Sequence, residues 1–185
     1  MQRFNFIKKH IIAFLIIALC AVHPGLSDNN DAWNDYYYFV EMSEKVLQEY
    51  IASNSELYMM LLADSIAATE ISQEQITAYS DCIENIYNTA MDYIGWSMDR
   101  LAESATLVYG GIEQAKNDEQ WVFLMSVYED AYNTQIENVG AAKAGLSDAL
   151  DSALIDKRMN PNEVRDIMSC LLEIDAVLSL PIAND

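Results

Sequence analysis

From Gly25 to Asn160 the chain contains no proline, and strand-type alternation is sustained nowhere. Apolar residues recur instead at three- and four-residue steps, the spacing of one helix face. One stripe runs Ile76, Tyr79, Ile83, Ile86, Ala90, Tyr93. A second runs Trp121, Met125, Tyr128, Tyr132, Ile136, Val139, Ala142, Leu146, Ala149, Ala153. A third, near the end, is Val164, Ile167, Leu171, Ile174, Leu178. The opposite faces carry most of the Asp, Glu, Asn and Gln, so these stripes read as core-forming before anything else. No Asn-Gly or Asp-Gly hairpin turn occurs, which leaves an all-α chain as the expectation.

Start signals divide the pattern. Ser72 with Gln75 forms a capping box, with Glu74 in the first turn. Asn117 precedes Asp118, Glu119 and Gln120, and carboxylates suit a helix N-terminus. Asn160-Pro161-Asn162-Glu163 supplies a cap, a proline at the first helical position and a Glu at the third. Helices are expected over about 31–70, 73–115, 119–157 and 161–179. Ser53-Asn54-Ser55-Glu56 leaves open whether the first helix is kinked or split, and Gly110-Gly111 whether the turn before the third lies there or at 116–118, with a bend or the turn itself expected within 110–118. Helices of about 40 residues each run roughly 60 Å, and short turns favour antiparallel neighbours. The expected architecture is an elongated antiparallel up-and-down bundle of three long helices, with a shorter C-terminal helix packed on helix two.

The N-terminal stretch bears on compartment. Arg3, Lys8 and Lys9 precede an uncharged apolar run from Ile11 to Val22, which His23, Pro24 and Gly25 then break. A membrane span needs about 20 apolar residues, and this run is shorter. Its charged, apolar, small-residue order is that of a secretory signal peptide over residues 1–27, cleaved after Ser27. Cleavage would leave one acidic helical domain over 28–185 in an extracellular setting. Both histidines and Cys20 would leave with the leader. Seven basic residues would then face 29 acidic ones, a net charge of −22.

That balance excludes partners. A nucleic-acid binder needs Lys and Arg to neutralise phosphates, and this surface would repel phosphates and anionic lipid heads alike. Stable membrane insertion of the mature chain is not expected. Without histidine, zinc and haem sites lose their usual ligand and a Ser-His-Asp arrangement cannot form. Residues 27–35 offer Asp28, Asn30, Asp31 and Asp35, but without the central glycine and terminal Glu of a calcium loop. No metal, no cofactor and no catalytic residue is assigned, and the chain reads as non-enzymatic.

Two cysteines remain. Cys82 lies ten residues after Ser72, and Cys170 ten residues after Asn160. If helices two and four start from the same end, both sulfurs sit at about 15 Å depth. Equal depth and an oxidising compartment predict a Cys82–Cys170 disulfide, which requires helix four to touch helix two.

The aromatics are the most suggestive positive feature. Trp33, Tyr36, Tyr37, Tyr38 and Phe39 crowd one stretch, with Tyr58 and Met59 further on. On a helix these side chains point several ways, so they cannot all face one core. Periodicity puts Trp33, Tyr37 and Val40 inward and leaves the other tyrosines as half-exposed rims. Tyr and Met tolerate polar edges and varied shapes, which suits a ligand or partner surface. Tyr79-Ser80-Asp81-Cys82 resembles the Tyr-x-x-Cys elements of small secreted helical insect proteins of the TsetseEP-domain type, and no function is carried over from it. The reading is a secreted protein acting by surface binding or as a structural component of an extracellular fluid, with a protein partner for which basic character fits the charge. The alternative is a carrier that holds lipids or other small apolar molecules between amphipathic helices.

Overall fold

The structure is a computed structural model that describes residues 30–179. The leader expected over residues 1–27 lies outside the described residues, as does Asp28. The described chain is all-helical, with no strand. Its helices are α1 (Asn30–Ala67), α2 (Gln73–Tyr109), α3 (Ile112–Ala115), α4 (Glu119–Ala153) and α5 (Pro161–Ser179). They contribute to two compact units, one formed by residues 30–41 and 96–126, the other by 42–95 and 127–179.

Local chemistry sets the boundaries. Ser72 and Gln75 bond reciprocally: the Ser72 N–H donates to Gln75 Oε1 at 2.8 Å, and the Gln75 N–H to Ser72 Oγ at 3.3 Å. Asn160 and Glu163 do the same for α5, at 2.8 and 3.2 Å. At α4 the capping group is Asp118, whose Oδ1 accepts from the N–H groups of Gln120 and Trp121, both at 2.9 Å. Each cap satisfies donors that the first helical turn leaves without a partner. Both break points expected between 110 and 118 are used. Gly110 and Gly111, at φ 74° and 136°, end α2, because glycine enters that region without a Cβ clash. Residues 116–118 separate α3 from α4. The split left open at 53–56 does not occur. Ser53 and Ser55 donate their hydroxyls to the carbonyls of Glu49 and Ile51, one turn back, and α1 runs on.

The second unit holds the larger core. Leu57, Leu61, Tyr79, Ile83, Ile86, Val139, Leu146, Ile167, Leu171 and Ile174 are all buried in one cluster. Within it α1 and α2 run in opposite senses: Asp64 meets Tyr79 and Gln75, while the earlier Ser53 meets the later Cys82 and Asn85. The turn after α1 and the turn after α4 are joined by a backbone bond, Ile71 N–H to the Lys157 carbonyl at 2.8 Å. Ala68 and Lys157 take positive φ, 52° and 55°, in those turns. Helices α2 and α5 thus start from the same end of this unit.

That much fits the sequence expectation; the sulfur clamp does not. Cys82 and Cys170 are free thiols. Cys82 faces α1, where its Sγ donates to the Ser53 carbonyl at 3.2 Å. The polar bonds of α5 run to α1 and α4. Tyr50 donates to Asp175 at 2.6 Å, and the Gln135 amide to the Val177 carbonyl at 3.4 Å. Counting residues from the caps gives the height of a sulfur but not its direction around the helix, and direction decides whether two sulfurs meet.

In the first unit Ser97, Ser104, Leu107 and Ala115 are buried. Tyr109 and Asp118 link the end of α2 to the start of α4; burial, and then the charge of Asp118, raise the Tyr109 pKa.

Candidate interaction surface

The first turns of α1 carry the aromatic stretch, and the second half of α2 supplies Trp96. Trp33 stacks on Tyr37 with ring centres 6.0 Å apart and meets Tyr36 edge-on at 6.1 Å. Tyr38 meets Phe39 at 5.7 Å and Trp96 at 6.0 Å, both edge-to-face. Phe39 also lies 5.7 Å from Trp96. Edge-to-face and offset contacts of this kind suit the ring quadrupoles and add stability beyond area burial.

The expected inward face is out of phase. Tyr37 is 62% exposed and Tyr38 51%, while Trp33, Tyr36, Phe39 and Val40 are half-buried. The true seam of α1 continues through Ser43, Val46, Tyr50, Ser53, Leu57 and Leu61, all buried. Two serines on that seam hide it from a search for apolar residues. The signal was available in the spacing: the seam repeats at three and four once Ser43 and Ser53 are counted in. Tyr58 and Met59, 40% and 61% exposed, lie on the part of α1 that belongs to the second unit.

Charge surrounds the aromatic patch. Asp35 and Glu41 are exposed on α1, and Asp99 on α2. Burial, and then the negative charge of Asp35, raise the pKa of Glu103. The first unit has eight carboxylates against two cations, Arg100 and Lys116, and Lys116 bonds Glu113 at 2.6 Å.

The second unit offers two further polar groupings. Asp64 accepts from Tyr79 and from Gln75 beside a cavity of about 210 Å³ lined by Met60, Ala63 and Ala78. Asp175 accepts from Tyr50 at 2.6 Å and from the Asn54 amide at 3.4 Å. In each case burial, and then the carboxylate partner, push the tyrosine pKa well above its ordinary value of 10.0. These phenols stay protonated and serve as donors, the chemistry of a braced core. The thiols are of the same kind: burial, and then Glu56, raise Cys82 to about 11, and burial raises Cys170, which keeps both from nucleophilic thiolate form.

Among the described residues no group of three or more His, Cys, Asp or Glu side chains is placed to hold a metal. No described helix is long and apolar enough to cross a membrane. Comparison with protein-family models, with curated proteins and with solved structures finds no match.

Proposed function

We propose that this is an exported, non-enzymatic helical protein that acts by binding a basic protein partner through its surface. In this reading residues 1–27 are a cleaved leader, and residues 28–185 form an elongated antiparallel up-and-down bundle of three long helices with the shorter C-terminal helix packed on the second. The observation that carries the proposal is the pair Tyr37 and Tyr38, 62% and 51% exposed on a chain of net charge −19. Large aromatics left in water on a strongly acidic surface gain most from a partner that brings cations and apolar area together.

The alternative is a carrier that holds lipids or other small apolar molecules between amphipathic helices; the cavity beside Tyr79, about 210 Å³, is below the roughly 300–1,000 Å³ of ordinary ligand pockets and does not by itself favour it. Titration calorimetry separates the two. A cationic protein should bind at low salt and weaken steeply as salt is added, while fatty acid should give no saturable heat. Saturable fatty-acid binding, with extractable lipid in the purified protein and no response to the cationic protein, overturns the proposal in favour of the carrier.

A further inference from the structure

The second unit contains a cation held by this chain's own chemistry. Lys143 Nζ lies 4.4 Å from the centre of the Tyr87 ring and pairs with the carboxylate of Glu84. Glu84 and Tyr87 are three residues apart on α2, so carboxylate and ring are neighbours on one helix face. The ring face attracts the ammonium through its quadrupole, and the carboxylate neutralises it.

The same spacing recurs in the first unit. Asp35 stands three residues before Tyr38 on α1, and Glu41 three residues after it. Both acids are exposed, and Tyr38 is 51% exposed. Trp96, on the neighbouring helix, contacts Tyr38 and Phe39 and fixes the rings in place. The unit's carboxylates outnumber its cations eight to two, with Lys116 committed to Glu113. The acceptor half of the Lys143 arrangement is therefore repeated on an open surface with an excess of negative charge.

We infer that Asp35, Tyr38 and Glu41, backed by Trp96, receive an arginine or lysine side chain from an extended basic segment of another protein. The inference rests on the surface-binding reading above and places its contact. Arginine suits the position better than lysine: its planar guanidinium lies flat on an aromatic face while its edge donates to a carboxylate.

All three tryptophans, Trp33, Trp96 and Trp121, belong to the first unit, so intrinsic fluorescence reports on this region. The probe is a nine-residue peptide of alternating arginine and serine, titrated into the full chain at low salt, with a citrulline-for-arginine peptide as control. Binding should shift tryptophan emission with the arginine peptide only. D35N together with Y38L should weaken it about tenfold, with helical circular dichroism unchanged. D148N with D151N removes two charges, one more than D35N does, from exposed positions of the second unit and should still weaken binding less than twofold. Equal weakening by both pairs overturns the placement and leaves the reading of a general acidic surface standing. No binding of the arginine peptide to the unsubstituted protein overturns the placement and the basic-partner reading together.

Discussion

The two units share α1, α2 and α4 yet differ in how large a core they close. The second places Leu57, Leu61, Ile86, Val139, Leu146, Ile167 and Ile174 at essentially zero exposure. Each unit also leaves large apolar side chains in water, Met59, Ile66, Ile155 and Leu172 at 61–84% in the second and Tyr37, Tyr38, Val122 and Phe123 at 48–66% in the first, but Leu107 is the one large side chain the first buries among its described residues. Apolar area removed from water is the main stabilising quantity, so resistance to unfolding resides chiefly in the second unit. The first holds its aromatics where they can meet something else.

Four measurements would break or sharpen this contrast. The largest effect should come from Ile86→Ala, which empties a fully buried position and should cost about 2–5 kcal/mol in urea unfolding; Phe123→Ala, at 66% exposure, should stay within about 0.5 kcal/mol. Comparable losses at the two sites would remove the contrast. Next, Tyr79→Phe deletes the phenol that donates to Asp64 and should cost about 1.5–3 kcal/mol. Its pH signature has a definite sign. Tyr50 and Tyr79 have folded pKa values raised above the ordinary 10.0, so their contribution is complete below pH 10 and is lost as pH rises beyond it. Stability should fall above pH 10, and less steeply in the doubly substituted Tyr50→Phe, Tyr79→Phe chain; equal slopes would show that these phenols do not couple to folding.

A smaller effect, about 1 kcal/mol each, is expected from the caps. Ser72→Ala acts in the second unit and Asp118→Ala in the first. Because all three tryptophans sit in the first unit, Asp118→Ala should move the fluorescence midpoint more than the circular dichroism midpoint, and Ser72→Ala the reverse. Coincident shifts in both would show that the units unfold as one. The smallest effect is on rates. Cys82 is buried, with its pKa near 11, and Cys170 is half-buried. A thiol reagent should modify Cys170 before Cys82 under native conditions, and both should react after denaturation without reductant. A single slow rate for both would show that their surroundings are alike.

How much was legible follows from which signals are local. The start of α5 could be read to the residue because Asn160, Pro161 and Glu163 each act within one turn. The end of α2 could be read as a region, since Gly110-Gly111 can break a helix without settling which turn replaces it. The phase of α1 was misread because Ser43 and Ser53 occupy its seam. Ser53 is satisfied there by donating its hydroxyl to the Glu49 carbonyl and by taking the Cys82 thiol on its carbonyl and the Asn85 amide on its hydroxyl, the last two being partners that sequence position does not reveal. The disulfide failed for a related reason. Distance along a helix is local information, whereas the direction of a sulfur depends on packing across four helices. For the candidate surface, the crowding of Trp33 to Phe39 was visible in the sequence, but the part played by Trp96 was not, because only the pairing of α1 with α2 brings it there.

The bond from the Ile71 amide to the Lys157 oxygen carries a consequence of its own. It uses main-chain atoms alone, so drift in the side chains at either turn leaves it intact, while a proline at position 71 would erase it by removing the hydrogen. Two hairpins far apart in the chain are thereby fastened at their corners by a link indifferent to residue identity. The side chains at these corners are limited by other means: Ile71 is buried in the core, and Ala68 and Lys157 hold positive φ.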